Sequence, residues 1–268
     1  MKISLKINES LDHNAQIYFN KAKKLRKKIS GAEKAIGVTK QKILKAENAD
    51  KENVSIIKKI KKKLDKKWFE KFHWFVTSNG FLVVAGRDST TNEDVIKKHT
   101  DKEDIVLHTD MAGSPFGVIK KESQDIDISE KDIEEAADFI LAYSRAWKKG
   151  YGNADIFYVN PDQVSKTANP GEHLSKGAFM IRGKTNYIQN KINFCIGLYS
   201  EDFGDYSNKV FSGPEEAAKK HCKKYFKLIP GRQKISEIAK FIRGDFGSNA
   251  DLDEFIRAVP SNSELQKH

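Results

Sequence analysis

The chain has 268 residues, with 48 Lys+Arg against 37 Asp+Glu and a formal net charge of +11. At 38% apolar and 10% aromatic it carries enough hydrophobic side chains for a sizeable core, which excludes a wholly disordered chain. No apolar run approaches the roughly 18 residues of a membrane span, the opening Met1–Lys6 has no apolar leader core, and two cysteines, Cys195 and Cys222, frame neither a disulfide scaffold nor a metal site. A reduced, cytoplasmic protein with no cofactor and no membrane partner is expected.

The charge is unevenly placed. Residues 1–67 hold 20 Lys+Arg and 7 Asp+Glu, a net of +13, while residues 68–268 net −2. A basic arm on a nearly neutral body seeks polyanions. From Leu11 through Ala15, Tyr18, Ala22, Leu25 and Ile29 to Ala46, seam positions follow at alternating spacings of 4 and 3. Such a heptad run predicts a helix roughly 55 Å long, built to supercoil on a partner. Glu47–Asn53 reads as a tip. Val54, Ile57, Ile60 and Leu64 begin a return helix flanked by Lys58, Lys59, Lys61, Lys62 and Lys63. An antiparallel helical hairpin follows, with a return arm about half as long as the outgoing one. The Leu11–Tyr18 stretch is therefore expected to pack on the body or on another polypeptide.

At Trp68 the composition changes. Trp74–Ser78 and Phe81–Ala85 are apolar runs around Asn79-Gly80, a pair that favours a type I′ hairpin turn. Ile105–Thr109 and Phe116–Lys120 read as a second strand pair. Ser129 is placed to cap a helix over Glu130–Trp147, with Ser144 on its inner face. Ile156–Val159, Phe179–Ile181 and Phe194–Tyr199 read as short strands; Pro214–Leu228, Ser236–Arg243 and Leu252–Val259 read as helices. Strands and helices do not alternate regularly, so the fold class is α+β: a basic antiparallel hairpin, then a mixed α/β domain.

Catalytic patterns are sparse. Gly177 and Gly183-Lys184-Thr185 enclose five residues rather than the four of a phosphate loop, and a strand lies between them. There is no nucleophile elbow and no metalloprotease helix motif. His108-x-Asp110 supplies two ligand types at a strand end, although a hydrogen-bonded structural histidine is the commoner meaning of such a pair. Arg87-Asp88 suits either a buried ion pair or a phosphate contact. Nucleic acid fits better than catalysis: Lys23, Lys24, Lys27 and Lys28 can neutralise backbone phosphates without reading sequence, and the body's aromatics can stack on bases or fill a core.

Trp68-Phe69-Glu70-Lys71-Phe72-x-Trp74-Phe75, Gly86-Arg87-Asp88, Asn92-Glu93, His108-x-Asp110-x-x-Gly113, Ser144-x-Ala146-Trp147, Gln163-Val164-Ser165-Lys166 and Gly177-x-Phe179-Met180-Ile181-Arg182-Gly183 together resemble the NFACT-R domain. That domain belongs to the family of ribosome quality control subunit 2, nuclear export mediator factor and the fibronectin-binding protein A-like proteins. Leu11-Asp12-x-Asn14-Ala15 with the basic heptads is similar to the family's coiled-coil arm, and Ile229-Pro230-Gly231 with Asp251-Leu252-Asp253-Glu254 is similar to the C-terminal segment of archaeal members.

The resemblance implies a coiled-coil arm over 1–67, NFACT-R over 68–209 and a helical C-terminal segment over 210–268. It implies binding to the rRNA of a stalled large ribosomal subunit carrying peptidyl-tRNA, and support of tRNA recruitment for nascent-chain tailing. The family's NFACT-N part is expected on a partner chain. Arg87, Asp88, His108, Asp110 and Lys166 join the arm lysines as candidate RNA-binding residues. An RNA-processing or RNA-modifying enzyme using His108, Asp110, Arg87 and Asp88 is the alternative, and a purely structural adaptor a third.

Overall fold

Leu11–Ala49 form a single helix, α1, of 39 residues. Its start is organised by Asn14, whose side-chain amide donates to the carbonyls of Lys6, Glu9 and Ser10 while its oxygen accepts the Lys6 N–H. These hydrogen bonds tie the segment before the helix back onto its first turn. In this computed structural model the described residues are 4–49, 67–121, 126–168, 173–247 and 250–266, the side chains of 41–49 excepted. The expected return helix over Val54–Leu64, with Lys58, Lys59, Lys61, Lys62 and Lys63, lies outside them. The seam residues Leu11, Leu25, Ile29 and Ile36 are all at least half exposed.

The chain divides into two units, Met1–Lys66 and Lys67–His268. The second is α+β. Its strands are β1 (His73–Val76), β2 (Leu82–Ala85), β3 (Ile105–Thr109), β4 (Gly117–Ile119), β5 (Ile156–Val159), β6 (Val164–Ser165), β7 (Met180–Ile181), β8 (Asn186–Ile188), β9 (Phe194–Tyr199), β10 (Val210–Gly213), β11 (Cys222–Gln233) and β12 (Ser263–Leu265). A six-stranded antiparallel sheet runs β1-β2-β4-β3-β5-β8, a four-stranded one β10-β9-β11-β12, and β6 pairs with β7. The helices are α2 (Ser89–Lys98), α3 (Glu130–Ala142), α4 (Arg145–Lys149), α5 (Glu215–His221), α6 (Ile235–Phe246) and α7 (Leu252–Ala258).

Helix α3 packs against strands of both larger sheets, which is why Ala136, Ala137, Phe139, Ile140 and Leu141 are all fully buried. Gly117 makes the approach feasible, since a Cβ there would stand 2.4 Å from Ile140 Cδ1. Phe75 and Phe139 meet at 4.6 Å, and Trp147 leans edge-on against Phe194 at 6.0 Å. The Tyr199 hydroxyl accepts the Val76 N–H at 2.9 Å, joining β9 to β1.

Four local expectations are corrected. The β1–β2 turn has a three-residue loop closed by the Thr77 N–H donating to Phe81 and the Gly80 N–H to Thr77; Gly80 takes φ +98 while Asn79 stays out of the left-handed region, so it is not type I′. The helix expected over Glu130–Trp147 ends at Ala142. Ser144 is buried, as an inner-face position should be, but it accepts the Ala146 N–H and starts α4 instead of continuing α3. The helix expected to continue to Leu228 ends at His221, and β11 replaces its second half. There β9 and β12, both remote in sequence, supply backbone partners that local propensity does not register. Finally, β10, β11 and β12 share a sheet with β9, so residues 210–268 complete a structure begun earlier and are not a separate helical segment.

Candidate nucleic-acid interface

The registers His73↔Ala85, Ala85↔Gly117, Thr109↔Ile156 and Ile156↔Ile188 bring one set of strand ends together. At that end of the six-stranded sheet lie Arg87 and Asp88, His108 and Asp110, Gly113–Phe116, and Tyr187. The topology therefore gathers motifs that are up to a hundred residues apart in the chain.

Asp88 is the N-cap of α2. Its carboxylate accepts the Thr91 N–H at 2.8 Å, and the Thr91 hydroxyl accepts the N–H groups of Arg87 and Asp88. These hydrogen bonds, that of Thr91 first, hold the Asp88 carboxyl below the usual carboxylate range. Asp88 thus serves the helix, and no ion pair joins it to Arg87 among the described residues. The Arg87 side chain is exposed. Partial burial, then the charge of Arg257, pull its guanidinium below the ordinary value.

His108 stacks on Phe116 with centroids 4.0 Å apart, and its Nε2 lies 3.2 Å from the Ser114 carbonyl. Burial pulls its pKa down against two backbone hydrogen bonds and the Asp110 charge, so the ring is neutral at pH 7. Asp110 accepts the Tyr187 hydroxyl at 2.9 Å. Among the described residues no three His, Cys, Asp or Glu side chains gather as a metal cluster. Lys166 donates to the carbonyls of Ser175 and Ala178, lies 3.8 Å from Glu93, and stands over Phe179 at 5.0 Å. It clamps its own loop onto α2, where the Gly177 N–H also meets Glu93.

Besides Arg87, two sets of cations are left for phosphates. Arg145, at the start of α4, lies over Gly113, its Nε 3.0 Å from where a Cβ would be. On α1, Lys23, Lys24, Lys27 and Lys28 are exposed, with no carboxylate within ion-pair distance among the described residues. Arg145, Tyr187, His73 and Arg257 are residues that sequence reasoning missed. Each is set at the sheet end by strand register or helix packing; His73 and Arg145 stand at unspecified positions of the Trp68–Phe75 and Ser144–Trp147 motifs, and Tyr187 and Arg257 stand in none.

The family described as "NFACT protein RNA binding domain" matches residues 71–183. The archaeal Rqc2 homolog aRqcH of Methanocaldococcus jannaschii is 43% identical over 213 residues, covering 79% of this chain and 31% of that protein. Ribosome quality control complex subunit NEMF of Homo sapiens is 37% identical over 179 residues, 65% of this chain and 16% of that protein. The chain thus spans a third or less of these relatives' length. A solved structure, the C-terminal part of the fibronectin/fibrinogen-binding protein from Streptococcus suis, covers 69% of this chain and is itself 78% covered, at 20% identity and a TM-score of 0.37, a likeness too slight to specify the fold. The helical arm, the sheet-end motifs and these identities agree: the chain belongs to the NFACT family and carries its RNA-binding domain.

Proposed function

We propose that this chain is a non-catalytic RNA-binding component of ribosome-associated quality control. In this reading it binds the rRNA of a stalled large subunit carrying peptidyl-tRNA and supports tRNA recruitment for nascent-chain tailing, in concert with an NFACT-N part. The observation that carries the reading is the match of residues 71–183 to an RNA-binding domain, at the sheet end where Arg87 and Arg145 stand exposed. The exposed Lys23, Lys24, Lys27 and Lys28 of α1 add a sequence-independent phosphate contact, and Asp88, His108, Asp110 and Lys166 hold the surface in shape.

The test is co-sedimentation of the full chain with purified large subunits across a salt series. Binding that weakens steeply with salt is expected, since six or more Lys or Arg contacts to phosphates give a log–log slope of about −5. Absent or salt-insensitive binding overturns the reading.

A further inference from the structure

Arg87 and Arg257 are 170 residues apart in the chain, and a short run of contacts brings their neighbours to one edge of the body. His73 pairs with Ala85 across β1 and β2, so Arg87 emerges just beyond His73's partner. The His73 ring lies flat on Tyr143, with centroids 3.7 Å apart and planes at 17°. The Tyr143 hydroxyl in turn donates to the carbonyl of Ala258 at 2.7 Å, the residue that follows Arg257, and lies 3.3 Å from Ser212 Oγ on β10. The stack thus ties the end of α7 to the start of β1. The charge of Arg257 registers on the Arg87 guanidinium, as expected for two cations sharing a small region.

Both side chains are exposed. Among the described residues neither guanidinium has a carboxylate within ion-pair distance or a hydrogen-bond acceptor, and the nearby Asp88 is engaged in capping α2. Two like charges held in one region, the Asp88 charge acting on Arg87 only from beyond ion-pair distance, are complementary to an anion. A guanidinium fork matches the geometry of phosphate oxygens.

We propose that Arg87 and Arg257 form a two-arginine clamp for a single backbone phosphate of RNA, beside the His73–Tyr143 stack. A phosphodiester offers two unesterified oxygens, one for each fork. The exposed setting of both arginines leaves room for the strand to continue on either side. The assignment rests on the RNA-binding reading above and adds to it a residue outside 71–183.

Fluorescence anisotropy with a labelled single-stranded RNA tests it, using the full chain and the variants Arg87→Gln, Arg257→Gln and the double. Each single variant is expected to weaken binding about tenfold, the scale of one charge-assisted contact. Because one phosphate is shared, either single leaves it neutralised by the remaining arginine and should hardly change the salt slope, the double should lower it by about 0.7, and the double should lose less than the product of the singles. Additive losses with the full slope change in each single, or no loss in Arg257→Gln, overturn the clamp. An effect confined to 5′-phosphorylated RNA, or abolished by millimolar inorganic phosphate alone, overturns the backbone assignment in favour of a terminal or free phosphate. Unchanged circular dichroism in the variants excludes misfolding as the cause. Large-subunit sedimentation of the same proteins separates the two readings: subunit binding intact with no clamp effect sinks the clamp alone, and clamp effects on RNA without subunit binding sink the ribosomal role alone.

Discussion

His108 lies flat on Phe116, and its Nε2 faces the Ser114 carbonyl at 3.2 Å. With burial holding the imidazole neutral, the ring acts as a packed aromatic that fixes the Asp110–Phe116 turn. His108→Ala is therefore expected to destabilise the body by about 2 kcal/mol through lost packing, read as a shift in the urea midpoint. His108→Phe keeps the stack and is expected to leave RNA affinity within about twofold. A tenfold loss in His108→Phe at an unchanged midpoint would instead give the imidazole a direct RNA contact.

Loop geometry behind that surface is set by Gly177. It takes φ +78, and a Cβ there would stand 2.6 Å from the Ser89 Cα and carbonyl at the start of α2. Gly177→Ala meets both the backbone penalty of a left-handed alanine and a clash with main chain that cannot yield. An expected cost of about 1–3 kcal/mol should undock the loop that Lys166 clamps. Limited proteolysis reads this directly: new cleavage between Lys166 and Lys176 is expected, and wild-type resistance would show that the loop docks without the glycine.

Much of this arrangement was legible where chemistry is local. Ser129 announced α3 through its cap, and Ile105–Thr109 and Ile156–Val159 announced strands through their apolar runs. Helix α2 went unread although Asp88 and Thr91 stand at capping-box spacing, a signal within reach. Strand β11 was not legible, because Lys223, Lys224 and Lys227 look like a solvated helix face until β9 and β12 are seen beside them. The same holds for function. Arg87 stood in a motif, whereas Arg257 is an ordinary exposed arginine on a short helix until Tyr143 ties that helix to the His73 edge.

Acid should weaken the body. Burial, helped by the charge of Arg87, lowers the His73 pKa from 6.5 to about 3, and burial lowers His99, His108 and His221 as well. Below pH 6.5 the unfolded chain takes up protons that the folded histidines refuse, so stability falls as the pH drops from about 7 toward 3. Asp138 acts in the opposite sense: burial raises its pKa from 3.8 to about 6, so between those values the folded state binds the extra proton and gains stability on acidification. Burial raises Glu135 likewise. With four histidines against two carboxylates, the urea midpoint is expected to decline from pH 7.5 to pH 5. The decline should be shallower in His73→Phe, which keeps the stack on Tyr143. A midpoint constant over that range, or an equal decline in His73→Phe, would refute the assignment.

The arm makes the sharpest electrostatic prediction because its lysines differ from those of the body in one respect. Lys97, Lys98 and Lys219 each lie within ion-pair distance of a carboxylate on their own helix, Glu93, Asp94 and Glu216 respectively. Lys23, Lys24, Lys27 and Lys28 have no such neighbour among the described residues, so their charge is available to a polyanion. Reversing those four to Glu is expected to reduce the magnitude of the log–log salt slope of RNA binding by roughly 3, since each phosphate contact contributes about 0.7–0.9. Reversing Lys97, Lys98 and Lys219 should move it by less than about 1. Helicity by far-ultraviolet circular dichroism serves as the control, because Lys and Glu have similar helix propensities. Equal slopes for the two sets of variants would show that the arm's charge maintains solubility and does not meet RNA.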